Sequence, residues 1–225
     1  CAVEGIEWIR LLYCYPEEIY DELIETIKTE PKICHYLDLP IQHASDRILK
    51  KMGRRTDRKA LETMIAKLRK EIPDIALRTS LITGFPGETE KDHEELMEFV
   101  EKMDFDRLGV FTYSPEEGTP AQKMEGQIPE EQKEERRDDL MALQQGISEE
   151  NSRKMIGRTL QVLVEGRIPE EDVYVGRTYR DAPDVDGYIF LKAEEELMSG
   201  DMVTARVTGA DAYDLTGEVL YEFTE

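Results

Sequence analysis

The chain has 225 residues, 40% hydrophobic and 35% charged, with 50 Asp and Glu against 29 Lys and Arg and a formal net charge of -21. That length holds a sizeable core and allows two domains, and the composition is that of a globular chain, not a disordered one. No run of 18 apolar residues offers a membrane span, and so acidic a surface repels nucleic-acid phosphates and attracts cationic partners.

The first residues, Cys-Ala-Val-Glu-Gly-Ile-Glu-Trp, carry no basic segment and no cleavable apolar stretch, so they do not read as a signal peptide. There is no initial Met and a strand follows almost at once. The expectation is therefore a fragment that lacks an N-terminal part. The strand is Trp8 to Tyr13. Pro16 opens a helix to about Thr29, with Ile19, Leu23 and Ile27 on one stripe. Tyr36 to Ile41 is a second strand. Ser45 caps a short helix carrying Ile48, Leu49 and Met52. Thr56 or Asp57 caps the next, with Leu61, Met64, Ile65 and Leu68 at helical spacing.

Ile75 to Thr83 is the third strand and ends in a Gly-Phe-Pro-Gly turn. Thr89 caps a helix with Leu96, Phe99, Val100 and Met103. Arg107 to Tyr113 is the fourth strand, followed by a turn-rich loop to Gly126 and an acidic helix from about Pro129 to Ser152. Four strands alternating with helices predict βα units and a parallel sheet, a barrel or part of one. After Gly157 the pattern changes to alternation at Leu160, Val162 and Val164, then Val173 and Val175, Tyr188 and Phe190, and Val203, Ala205 and Val207. This predicts a small antiparallel β-barrel of about five strands, with a helix only near Glu194 to Met198. The predicted domains are 1–153 and 154–225.

Alternation also sorts the strand side chains by face. Leu77, Thr79 and Leu81 oppose Arg78 and Ser80; Leu37, Leu39 and Ile41 oppose Asp38 and Gln42; Arg10 lies opposite Ile9 and Leu11. The apolar faces pack on helices, which leaves Arg10, Asp38, Gln42, Arg78, Ser80 and Tyr113 on the inner face of the sheet. Buried polar groups need partners. Two readings stand: a ligand site in which Arg10 or Arg78 grips a carboxylate or phosphate, and an internal Arg10–Asp38–Arg78 ion network. Gly84, Gly87 and the helix capped by Thr89 could present N–H groups to an anion. His35, His43 and His93 have no metal-ligand spacing. Cys1, Cys14 and Cys34 are odd in number and far apart, which suits a reducing compartment and not a disulfide framework.

Five stretches carry a family resemblance: Trp8-Ile-Arg-Leu-Leu-Tyr13, Leu39-Pro-Ile-Gln-His-Ala-Ser45, Leu49-Lys-Lys-Met-Gly-Arg54, Arg78 to Glu88, and Tyr113-Ser-Pro-Glu-Glu-Gly-Thr-Pro-Ala121. Together they resemble the C-terminal half of a radical S-adenosylmethionine methylthiotransferase, and the β region resembles the TRAM domain that ends such enzymes. The resemblance implies an α/β fold, the C-terminal part of a partial parallel (β/α) barrel followed by a TRAM β-barrel. It implies an enzyme that uses S-adenosylmethionine and two 4Fe-4S clusters when full-length. The Cys-x3-Cys-x2-Cys loop that holds the first cluster is absent here, so neither a bound cluster nor a catalytic residue is expected on this piece.

By the same resemblance Gln42 and Ser45 handle the ribose and amino-acid part of the cofactor. Arg78, Ser80, Gly84 and Glu88 lie near its adenosyl group, and Tyr113 closes the last strand. Two branches of the family compete. The tRNA branch usually carries Ser-x-Arg-x-Gly-Thr where this chain has Ser114-Pro-Glu-Glu-Gly-Thr119. The stretches Gly176 to Gly187 and Tyr213 to Gly217 resemble instead the branch that modifies an aspartate of small-subunit ribosomal protein twelve. Charge argues the same way. From Lys154 onward there are 7 Lys and Arg against 16 Asp and Glu, a net of -9, whereas an RNA-binding domain is basic. The expectation is a cytoplasmic protein whose acidic face, including Asp181, Asp184 and Asp186, docks a basic ribosomal protein or the ribosome, with no direct tRNA binding and no membrane. The alternatives are the tRNA-adenosine branch, or a non-catalytic docking module.

Overall fold

A computed structural model describes residues 1–221. The chain separates into two units, Cys1–Ile147 and the residues from Ser148 onward.

The first unit is built on four parallel strands, β1 (Ile9–Leu11), β2 (Ile33–Asp38), β3 (Ala76–Thr83) and β4 (Arg107–Thr112), in the order β1-β2-β3-β4. Between them run α1 (Asp21–Thr29), α2 (Asp46–Lys51), α3 (Arg58–Glu71) and α4 (Glu90–Met103), and α5 (Glu130–Arg153) follows. Strand β1 is shorter than expected, Ile9–Leu11 in place of Trp8 to Tyr13, and two elements shift further. Pro16 opens only a 3-10 turn, Pro16–Glu18; the chain is extended at Ile19 and Tyr20, and α1 starts at Asp21. Strand β2 begins and ends earlier than its apolar run suggests. Pro40 has no N–H to give to a ladder, and Gln42 adopts φ 74°. The chain then resumes one bridge, Gln42 to Leu81.

Caps explain the helix starts. Asp57 caps α3 by accepting from Ala60 N at 2.7 Å. Thr89 and Asp92 form a reciprocal capping box on α4. Strand β3 alternates as its sequence predicts: Leu77, Thr79, Leu81 and Thr83 are buried, whereas Arg78, Ser80 and Ile82 are half-buried. The buried leucines join Leu37, Leu39, Ile65, Leu68, Leu96, Phe99 and Val100 in one core. The register sets Asp38 beside Arg78, Ser80 beside Gly109 and Ile82 beside Phe111, so these six share the sheet's other face.

In the second unit β5 (Thr159–Ile168), β6 (Val173–Thr178), β7 (Ile189–Lys192), β8 (Met202–Ala210) and β9 (Leu215–Val219) close a barrel in the order β5-β6-β7-β9-β8. Its interior holds Val162, Val164, Tyr174, Ile189, Leu191, Ala205, Val207 and Leu215. The antiparallel expectation fails at one seam, because β7 and β9 pair in parallel. No helix forms at 194–198; the N–H groups of Glu194 and Glu195 donate instead to Tyr221 Oη, at 2.8 and 3.0 Å.

Candidate functional site

The polar face of the sheet is real, and its charges are partly spent on one another. Arg78 donates to Asp38 Oδ1 at 2.9 Å and to Ser80 Oγ at 3.5 Å. Asp38 Oδ2 accepts from Tyr13 N, and the Arg10 guanidinium lies 4.6 Å from the centre of the Tyr36 ring. Arg78 and Asp38 thus form the ion pair that the internal-network reading requires.

Beyond the carboxyl ends of β3 and β4 opens a cleft of about 670 Å³. Strand ends are where ligands settle in α/β sheets. Ile82, Phe85, Phe111, Tyr113 and Met124 give it apolar and aromatic walls. Phe85 and Tyr113 meet edge to face at 5.3 Å, packed on Ile48. Gln42, Thr112, Ser114, Glu116 and Thr119 supply polar atoms, and the end of α2 adds Lys51 and Arg54. Tyr113 Oη is buried without a hydrogen-bond partner. A buried hydroxyl costs stability when left unpaired, so Tyr113 is a candidate ligand contact of the cleft it lines. An apolar pocket with few directed polar groups suits a flat heterocycle.

Of the residues singled out by sequence, Gln42 and Tyr113 line this cleft, and Arg78, Ser80, Gly84, Glu88 and Ser45 do not. Glu88 is 3% exposed. Its Oε2 accepts from Gly84 N at 2.8 Å and Phe85 N at 3.3 Å, and its Oε1 from Arg136 at 2.9 Å. It holds the turn that carries Phe85 and ties it to α5. Lys133, one helical turn earlier, is 4% exposed and donates to the Tyr113 carbonyl at 2.8 Å and to Glu130 at 2.9 Å. Its chain runs against Gly84, where a Cβ would stand 2.2 Å from Lys133 Cγ. Two cations of α5 therefore anchor the two aromatic walls from beneath. Sequence reading passed over them, since lysines and arginines on an acidic helix are usually solvated.

Ser45 is the N-terminal flanking residue of α2, yet its hydroxyl does not cap that helix. It donates to Asp92 Oδ1 at 2.6 Å, and Asp92 also takes bonds from Thr89 and Arg47. Ser45, Arg47 and Asp92 line a separate surface pocket. Burial opposes ionisation of Asp92, but the bonds from Ser45, Thr89 and Arg47 outweigh it and hold the carboxyl well below the usual carboxylate range. A carboxyl depressed in the folded state stabilises it above its unfolded pKa and ceases to as pH falls through the folded value. Asp92→Asn should therefore cost about 1–2 kcal/mol at neutral pH. The difference from the parent should shrink once the pH drops below about 4. Urea unfolding followed by circular dichroism at neutral and acid pH checks this; a penalty independent of pH would rule it out.

In the barrel unit the three acids of the 181–186 loop have different surroundings. Asp181 is 2% exposed and accepts from Thr178 Oγ1 at 2.8 Å. Asp186 is half-buried and accepts from Ala182 N at 2.8 Å. Asp184 is exposed, with φ 63°.

Comparison with known proteins follows the same division. A model of the radical SAM superfamily matches residues 2–100, and a TRAM domain model matches residues 156–220. The chain is 64% identical over 217 residues to the ribosomal protein uS12 methylthiotransferase RimO of Lachnoclostridium phytofermentans. That alignment takes in 96% of this chain and 49% of the relative. The enzymes of the same name from Desulfitobacterium hafniense and Clostridium botulinum are each 53% identical, over 97% and 99% of the chain and 49% and 50% of their own length. The chain thus spans about half the length of the curated relatives it matches. Among solved structures, the radical SAM enzyme coproporphyrinogen III oxidase (HemN) of Escherichia coli matches in fold. Its TM-score is 0.52 and its identity 19%, over 67% of this chain and 34% of that one.

Proposed function

This chain belongs to the radical S-adenosylmethionine methylthiotransferases of RimO type, and on that premise we propose that its cleft holds the adenosine of S-adenosylmethionine in an enzyme that methylthiolates ribosomal protein uS12. The observation that carries the reading is Tyr113, which lines a cleft walled also by Phe85, Ile82 and Phe111 and whose buried hydroxyl has no hydrogen-bond partner. A purine has both the flat apolar face and the ring nitrogens that such a site satisfies.

Bound there, S-adenosylmethionine supplies the hydrogen-abstracting group and the methyl that the transfer uses. The chain's own work is positional. Ile82, Phe85 and Phe111 shield the base from water, and Tyr113 Oη donates to it. Arg78 and Ser80 lie further back on the same sheet face, outside the cleft, and Gln42 lines it. Glu88 and Gly84 act beneath it by fixing the Phe85 turn, and Ser45 acts through Asp92 and Arg47. The fit differs for an iron–sulfur cluster. Among the described residues no group of three or more His, Cys, Asp or Glu stands together as a metal site. Cys1 is exposed, Cys14 half-buried and Cys34 buried. No residue of the chain is assigned to a cluster.

The acidic surface supports a basic protein partner rather than RNA. Asp184 is the presented acid of its loop, and Asp181 and Asp186 shape the loop that presents it. A ribosomal partner places the work in the cytoplasm, and among the described residues no helix is long and apolar enough to cross a membrane.

Calorimetric titration tests both halves. The chain should bind S-adenosylhomocysteine, and Tyr113→Phe should weaken it about 5–10-fold, the worth of one hydrogen bond. It should bind uS12 in preference to tRNA. No heat with S-adenosylhomocysteine would remove the cofactor reading, and tight, salt-sensitive tRNA binding without uS12 binding would remove the partner.

A further inference from the structure

His43 follows Gln42 of the cleft lining and is itself 0% exposed. Its Nδ1 accepts from the N–H groups of Ala44 and Ser45, both at 2.9 Å. A ring nitrogen that accepts carries no proton, so the neutral imidazole has its proton on Nε2. That nitrogen is buried without a hydrogen-bond partner. It lies 3.5 Å from Glu88 Oε2, beyond the roughly 2.7–3.2 Å of a formed N–H···O bond. The acceptor has room. Gly84 N, Phe85 N and Arg136 take three of the about four positions that a carboxylate offers.

The two nitrogens of this ring lead to different parts of the cleft. On the Nδ1 side, Gln42 is pinned to β3: its N–H donates to the Ser80 oxygen at 3.0 Å, and its oxygen accepts from Ile82 N at 2.8 Å. Gln42 holds φ 74°, and the imidazole gathers the N–H groups that follow, as an Asn or Asp side chain does in a turn. On the Nε2 side, Glu88 holds the turn that carries Phe85, a wall of the cleft. A histidine that merely filled the core would be satisfied at both nitrogens, since buried polar groups are paired. The orphaned donor costs stability. A small approach of the Phe85 turn to the Gln42 segment removes that cost by forming a charge-assisted bond. Sequence reading set His43 aside for want of a metal-ligand spacing.

We propose that His43 is a positioning residue of the cleft, an inference that rests on the adenosine reading for its ligand. Its Nε2–H closes onto the Glu88 carboxylate when the cleft is filled, and so sets the Phe85 wall against Gln42. The work of the ring divides between its nitrogens. Nδ1 serves the fold by holding the turn into α2, and Nε2 serves the ligand through Glu88.

Calorimetry on the full chain with 5′-methylthioadenosine, which carries the adenosine without the amino-acid end, tests this division beside urea unfolding. His43→Asn keeps an acceptor near the place of Nδ1 but cannot reach Glu88. His43→Gln puts an amide N–H near the place of Nε2 and gives up the acceptor. His43→Asn should keep the parent's unfolding midpoint and weaken binding about 5–10-fold, the worth of one hydrogen bond. His43→Gln should do the reverse, with a lower midpoint and nearly unchanged binding. Unchanged binding in His43→Asn, or affinity losses that track stability losses in both variants, would reduce His43 to a packing residue. Nitrogen NMR of the parent's imidazole gives a readout that needs no variant to fold. The proton should be on Nε2, and its signal should move downfield when 5′-methylthioadenosine is added. A proton on Nδ1, or an Nε2–H signal indifferent to bound ligand, overturns the proposal. Failure of the parent to bind 5′-methylthioadenosine would instead strike the adenosine reading. The link is then decided in the free chain, where His43→Asn should displace the Gly84 and Phe85 amide signals more than His43→Gln does, and equal displacement overturns it.

Discussion

Replacing Gly84 with alanine should destabilise the chain by about 2–5 kcal/mol, from two separable causes. Gly84 has φ +72°, where a side chain is strained. Its new Cβ would also stand 2.2 Å from Lys133 Cγ. That carbon cannot swing away cheaply, because the ammonium beyond it is fixed by the Tyr113 carbonyl and Glu130. Urea denaturation of Gly84→Ala, Lys133→Ala and the double variant separates the causes. Truncating Lys133 removes the closest clashes, at Cγ and Cδ, but not the strain, so the double variant should be more stable than the sum of the singles predicts. Strict additivity would mean that the two residues do not meet.

Arg136→Met should cost about 3–5 kcal/mol, because it leaves the Glu88 carboxylate buried without its counter-charge. The pair is 2.9 Å apart, with side chains 4% and 0% exposed. Glu88 would keep its bonds from Gly84 and Phe85, and His43 Nε2 lies 3.5 Å from its Oε2. None of these replaces a guanidinium. Adding Glu88→Gln to Arg136→Met removes the unpaired charge and should recover part of the loss, since an amide oxygen still accepts from Gly84. Equilibrium unfolding measures both. A single variant within about 1 kcal/mol of the parent would show that the pair is solvated and not buried.

How much of this was legible depended on the distance over which each residue acts. The β3 alternation was legible because a strand's period of two is written in consecutive residues, and Leu77, Thr79 and Leu81 faced the core as it required. The Thr89 cap lay within four residues of its partner. Glu88 was placed in the right turn, but its chief partner, Arg136, is 48 residues away, and nothing local distinguishes a carboxylate that holds a turn from one that holds a ligand. Ser45 was a plausible cap whose hydroxyl went to Asp92, 47 residues on. Lys51 and Arg54 stood inside a quoted stretch and still drew no notice. Cations at the end of a short helix normally serve the helix dipole.

The parallel seam of the barrel governs the order of its assembly. Strand β9 slots between β7 and β8, so the earlier strands alone make an open ribbon in the order β7-β6-β5-β8. Its two outer strands keep unpaired edges until β9 arrives. Closure therefore waits for β9: its pairing with β8 is a local hairpin, Ala210 against Leu215, but its pairing with β7 is long-range, Ile189 against Leu215. Such contacts form slowly. During synthesis the ribbon stays open until Leu215 to Val219 has left the ribosome, and the barrel then closes in a single late event.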